Sequence, residues 1–159
     1  MVAGADPNLR DQGGCSPLHL AAEAGHDRVV GMLLLKGAQL DAKTASQETP
    51  LHLAASKGHA LNTLLLGGAD KDVDDGSRKT PLFRAVDKKR LGAVETLLAA
   101  GANRYCLNDE SECGRTPLVE AANIGHATIV KAFLDTDSSE VNATDSRGFT
   151  ALHYASSVG

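Results

Sequence analysis

The stretch TPLHLAASKGH, residues 49–59, decides the fold. Thr49 can accept a hydrogen bond from an orphan N–H of a first helical turn, and Pro50 gives up an N–H that would have no partner there. Leu51 and the pair Ala54-Ala55 follow at helical spacing, small enough at the alanines for a neighbouring helix to approach closely. Gly58 then supplies the positive φ that turns a chain out of a helix. The segment therefore predicts one short helix and a tight turn into a second.

The same phrase recurs along the chain. Ser16-Pro17-Leu18-His19, Thr49-Pro50-Leu51-His52, Thr80-Pro81-Leu82-Phe83, Thr116-Pro117-Leu118-Val119 and Thr150-Ala151-Leu152-His153 are spaced by 33, 31, 36 and 34 residues, a period that means a solenoid. Small residues follow each anchor (Ala21-Ala22, Ala54-Ala55, Ala85-Val86, Ala121-Ala122), Gly-His follows in three copies, and then comes an apolar run such as Val29 to Leu35. Gly37, Gly68 and Gly101 close the second helices. Polar stretches such as AKTASQE carry the chain outward as a hairpin-like finger to the next anchor. Fingers and first helices are expected on one side.

With TPLHLAA, GH and LLL elements at this spacing over nearly the whole chain, the sequence resembles the ankyrin repeat family. The resemblance implies an all-α solenoid of paired antiparallel helices, read as one domain over 1–159: about four repeats and a truncated fifth, a piece of a longer array. It also implies protein recognition on the concave face formed by fingers and first helices.

Several departures stand out. His59 to Leu64 is two residues shorter than His26 to Leu33, which predicts a late second helix in which Leu61 packs in place of two valines. Gly101 to Pro117 is three residues longer than Gly37 to Pro50, making NRYCLNDESECG an extended acidic finger. Asp137 stands where the fourth closing glycine belongs. Arg84 and Glu120 occupy equivalent positions in adjacent repeats and are expected to pair.

Composition narrows the function. With 42% hydrophobic residues but no Trp, two Tyr and three Phe, the chain suits closely stacked helices better than a sandwich or barrel core. A formal charge of −4 argues against a nucleic-acid or anionic-membrane surface, which needs a broad basic face. No apolar run approaches a membrane span. Three cysteines, Cys15, Cys106 and Cys113, show no pairing logic or zinc spacing, which fits a reducing cytoplasmic or nuclear compartment, with thiol reactivity open to the finger residues Cys15 and Cys113. A monomer is expected.

No catalytic, cofactor or metal site is expected. The six histidines fall on two recurring repeat positions, where a turn or cap hydrogen bond explains them better than catalysis. Asp70, Asp72 and Asp74 begin like a calcium loop, but Asp75 and Pro81 stand where glycine and glutamate are needed. Gly76-Ser77-Arg78-Lys79-Thr80 ends like a phosphate loop but lacks the earlier glycine. Asn142, in LDTDSSEVN with Leu134 eight positions upstream, resembles ankyrin-repeat asparagines that are hydroxylated. Its alternative reading is a loop residue bonding its own backbone.

Binding remains. TPLFRAVDKKR, residues 80–90, copies the phrase at 49–59 but loses both histidines and the glycine. Arg78, Lys79, Arg84, Lys88, Lys89 and Arg90 crowd there against Asp75 and Asp87, which points to an acidic protein or peptide partner, with ordinary repeat drift as the competing reading. Asp87, Glu48, Lys57, Glu112, Arg115 and Asn123 complete the candidate partner-binding set. A docking segment of a larger enzyme and a structural spacer are the alternative functions.

Overall fold

The computed structural model describes residues 4–59, 61–106 and 114–158. Among these are nine α-helices and no strand, apart from one isolated antiparallel bridge between Thr144 and Thr150. The helices alternate between two layers. The first helices are α1 (Pro17–Ala24), α3 (Pro50–Lys57), α5 (Pro81–Asp87), α7 (Pro117–Asn123) and α9 (Ala151–Val158). The second helices are α2 (Asp27–Leu35), α4 (Leu61–Leu66), α6 (Leu91–Ala99) and α8 (Ala127–Thr136). Each first helix packs on the next first helix and each second helix on the next second helix, so stability is built from neighbouring contacts. The core lies between the layers: Leu18, Leu51, Leu82 and Leu118, one position repeated four times, are each 0% exposed.

Ser16, Thr49, Thr80 and Thr116 precede the first four first helices in extended backbone, each followed by proline. Thr80 and Thr116 accept the N–H of Phe83 and Val119, both at 3.3 Å. In α1 and α3 a histidine joins the cap. The Thr49 N–H donates to His52 Nδ1 at 3.1 Å, so Nδ1 carries a lone pair, and His52 Nε2 must therefore donate to the Lys79 carbonyl at 3.0 Å. His19 does the same between Ser16 and the Glu48 carbonyl. These two rings are neutral, and burial pushes both below the ordinary histidine value. Each ties a helix start to the finger of the following repeat.

The inter-helix turn adopts positive φ at Gly25 (73°), Gly58 (84°), Lys89 (56°) and Gly125 (67°). The second repeat is shortened as expected: α4 has six residues against nine in α2. Leu61, however, replaces only the buried Val30, because Val29 is 42% exposed and packs in no core. In the fourth repeat Asp137 does not turn left-handed. It is extended (φ −162°), and its carboxylate accepts the Ser139 N–H at 2.9 Å, starting a 3-10 turn over Ser138–Asn142.

Candidate functional site between fingers and first helices

Among the described residues, four fingers are organised by the residue five positions before the anchor. Asp75 Oδ1 accepts the N–H of Ser77 (2.7 Å) and of Lys79 (3.1 Å). Asp11 and Asp145 hold their fingers in the same way, and Thr44 offers its hydroxyl to the Glu48 N–H. Two positions before the anchor the backbone bends left-handed, at Gly14, Gln47, Arg78, Gly114 and Gly148. Successive fingers are stitched together by Ala45 N–H to Gly13 carbonyl (2.9 Å) and Gly76 N–H to Ser46 carbonyl (3.0 Å). This scaffold was missed in the sequence. Its signal was an aspartate five residues before the anchor in three repeats.

The side chains between fingers and first helices form a connected polar network, which places the two on one side as expected. Asp75, its side chain fully buried, receives Arg84 Nε at 2.6 Å, while Arg84 Nη2 lies 3.8 Å from Glu48 of the preceding finger. Arg84 therefore fastens two fingers, and the expected Arg84–Glu120 pair does not form. Glu120 is engaged by Arg115 of its own finger at 3.0 Å. Both long side chains point toward the fingers rather than along the helix stack. Arg115 also lies over the Tyr154 ring, 4.9 Å from its centroid, and Tyr154 donates its hydroxyl to Asp145 at 2.7 Å. Burial would raise Asp145, but bonds from Tyr154, Phe149 and Arg147 outweigh it and hold the carboxyl below the usual range.

The candidate residues are placed as follows. Lys79 was expected as a fingertip contact, but it is only 7% exposed. Its ammonium reaches Asp87 at 2.7 Å, between finger and first helix, and sits 5.5 Å from the Phe83 ring centroid. Lys79 and Asp87 thus tie a finger to the C-terminal end of α5. Lys57 pairs with Glu23 of the preceding repeat at 3.2 Å. Asn123 Nδ2 donates weakly to Glu120 at 3.5 Å. Glu112 and Cys113 lie outside the described residues. Arg78 is exposed at the finger bend, and Lys88, Lys89 and Arg90 are exposed at the turn after α5. At Cys15, burial and the neighbouring Asp11 push the thiol up, which disfavours the thiolate. Asn142 is exposed at the end of the 3-10 turn.

The altered copy at 80–90 now has a structural account. His59 Nδ1 lies 3.3 Å from the Glu23 carbonyl, and Arg90 replaces that bridge one repeat later by donating to the Ser56 carbonyl at 3.2 Å. A Cβ on Gly25 would meet the His59 ring at 2.8 Å, so a side chain at this turn excludes the ring. Lys89 carries such a Cβ, and the next histidine, His126, instead lies 3.0 Å from its own Thr128 hydroxyl. Lys89 also holds a φ that costs an L-residue about 1 kcal/mol. Lys89→Gly is therefore expected to stabilise the fold by roughly 0.5–1 kcal/mol, the gain being trimmed by glycine's unfolded-state entropy. Chemical denaturation would show it as a higher midpoint at unchanged slope.

A second polar cluster lies at the junction of the third and fourth loops. Glu140 is 1% exposed, with Arg104 Nε 2.8 Å from Oε1, and neither carboxylate oxygen is in hydrogen-bonding alignment. Burial pushes its carboxyl up to about 7; Arg104 opposes this and Asp137 adds to it.

Comparison with known proteins agrees with this architecture. The family model described as ankyrin repeats (3 copies) matches residues 1–75, 33–109 and 82–159. The chain is 30% identical over 149 residues to human transient receptor potential cation channel subfamily A member 1, covering 94% of this chain and 10% of that protein. It is 33% identical over 172 residues to human neurogenic locus notch homolog protein 2, covering 96% of this chain and 7% of that protein. It is 31% identical over 156 residues to putative ankyrin repeat protein FPV014 of fowlpox virus, covering 94% of this chain and 34% of that protein. The chain thus spans about a tenth or less of the channel and notch relatives and about a third of the viral one.

Proposed function

The chain belongs to the ankyrin repeat family, whose repeats are generally protein-interaction modules, and from that premise we propose that its concave face binds a partner protein through an acidic segment. The observation that carries this is the state of the third repeat's charges. Asp87, the acidic residue nearest in sequence to the turn, is already held by Lys79 at 2.7 Å. Among the described residues no carboxylate forms an ion pair with Lys88 or Lys89, and Arg90 spends its Nε on a backbone carbonyl. The turn after α5 therefore presents exposed cations beside the concave face of a chain whose overall charge is −4. Such a patch selects carboxylate or phosphate groups and raises the association rate more than it lengthens residence.

The rest of the network supports recognition rather than reaction. Arg84, Glu48, Asp75, Lys79 and Asp87 hold one another, which pre-organises the surface and lowers the ordering cost of binding. The two free thiols among the described residues, Cys15 and Cys106, support a reducing compartment, cytoplasm or nucleus.

The test is capture by the 159-residue chain against the double variant K88E/K89E. Reversing two exposed charges is expected to leave the melting temperature within a degree or two, weaken capture at least about tenfold and flatten its salt dependence. Equal capture by both proteins would leave the turn as ordinary divergence of a repeat.

A further inference from the structure

Successive loops after the second helices are joined by one recurring bond. The side chains of Asn8, Asp41 and Asp72 accept the backbone N–H of Gln39, Asp70 and Asn103 in the next loop, at 2.7, 3.1 and 2.6 Å. Tyr105 is next in this series, and it has no carboxylate or amide oxygen to offer. Its hydroxyl lies 3.3 Å from Ser139 Oγ instead. Arg104 takes over the joint. Its guanidinium donates to the Thr136 hydroxyl at 2.9 Å, lies 3.8 Å from the Asp137 carboxylate and reaches Glu140 Oε1 at 2.8 Å.

Glu140 is the costly member of this arrangement. It is 1% exposed, neither carboxylate oxygen has a hydrogen-bond partner among the described residues, and its one cation is shared with Asp137. The charged and titratable groups that face it are Arg104 and the neutral thiol of Cys106 from the third loop, and Asp137 at the head of its own turn. Helices α8 and α9 also pack on the turn, but Lys131 and Asp135 of the one and His153 and Tyr154 of the other make no ion pair or hydrogen bond with its carboxyl. Taking an ionised carboxylate out of water costs more than one shared and poorly aligned cation returns. A proton on Glu140 removes that cost without orphaning Arg104, which keeps Thr136 and Asp137. We propose that the third and fourth loops are joined by a proton-linked clasp, which is loose while Glu140 is ionised and closes when Glu140 takes up a proton. The 3-10 turn leads into the finger that Asp145 holds, so the clasp sets how firmly that finger and α9 are tied to the repeats before them.

Burial raises the carboxyl from 4.5 to about 7, so the folded chain keeps a proton that the unfolded chain has released. The stabilisation is full below 4.5 and is lost as pH rises through about 7. His19 and His52 act in the opposite sense: burial lowers both, so their contribution falls as pH drops below 6.5, and a melt of the whole chain mixes the two effects. The readout is therefore local. In the 159-residue chain, NMR of isotope-labelled glutamate carboxyl carbons, assigned through the backbone, is expected to show Glu140 titrating near 7, with amides 104–106 and 139–143 shifting at the same midpoint. Glu140→Gln imitates the protonated form. Hydrogen exchange at amides 139–143 should be about tenfold slower in this variant than in the parent near pH 8, and equal near pH 5. A Glu140 midpoint in the ordinary carboxylate range, below about 5, overturns the proposal even if the variant does not fold. Exchange in Glu140→Gln that is equal to the parent or faster near pH 8 overturns it too, by making the Arg104–Glu140 pair an ordinary structural bridge.

Discussion

Replacing Asp75 with alanine is expected to lower stability by about 3 kcal/mol. Its side chain is fully buried and performs two tasks at once. Oδ1 accepts two finger N–H groups, from Ser77 and Lys79, and Oδ2 faces Arg84 Nε at 2.6 Å. Alanine would leave two backbone donors without their acceptor and a largely buried guanidinium with only Glu48 at 3.8 Å. The effect would spread, because Lys79 offers its carbonyl to His52 of the preceding repeat. Asp75→Asn keeps an acceptor for the N–H groups and loses only the charge, so its cost should be roughly half. In thermal melts of a chain this size, 3 kcal/mol corresponds to a drop of about 6–12 °C. An Asp75→Ala protein melting within about 2 °C of the parent would show that the finger is held by its backbone alone.

Asp75 also shows where sequence reading stops. The helices and their stacking were legible because each depends on local chemistry that repeats: Thr49-Pro50 favours a helix start, and Gly58 a helix end. The turn at Lys89 was legible as a strained substitution, since position in the repeat alone required a left-handed φ. Lys79 was not legible. A lysine in a polar finger reads as solvated, and only the folded return of α5 brings Asp87, eight residues on, within 2.7 Å of it. Arg84 misled for the same reason. Its equivalence to Glu120 suggested a partner along the helix stack, whereas the nearer carboxylates lie on the fingers above it. Arg90 could be read as a lost histidine but not as its replacement, because the shared acceptor is a backbone carbonyl that carries no sequence signal. Glu140 gave no sign of burial, being one acid in the polar run DTDSSE, and it is buried within the 3-10 turn that Asp137 begins.

A paired comparison isolates what a neighbouring repeat contributes. Leu118 and Leu152 occupy the same position, two residues after the cap, in adjacent first helices, yet one is 0% and the other 75% exposed. Leu118→Ala should cost about 3 kcal/mol, since it removes buried methyl groups and leaves a cavity that the surrounding α7, α8 and α9 cannot collapse into. Leu152→Ala should cost no more than about 0.5 kcal/mol, because the side chain is already largely in water. Residue type and helix position are alike, so the difference lies in packing. It also predicts where unfolding begins. With Leu118 truncated, the fourth and fifth repeats lose their shared core, so hydrogen exchange should accelerate from α7 through α9 while α1 to α5 keep their protection. Equal costs at the two positions would mean that the fifth helix is held in place by its finger, through Asp145 and Tyr154, rather than by the layer beneath it.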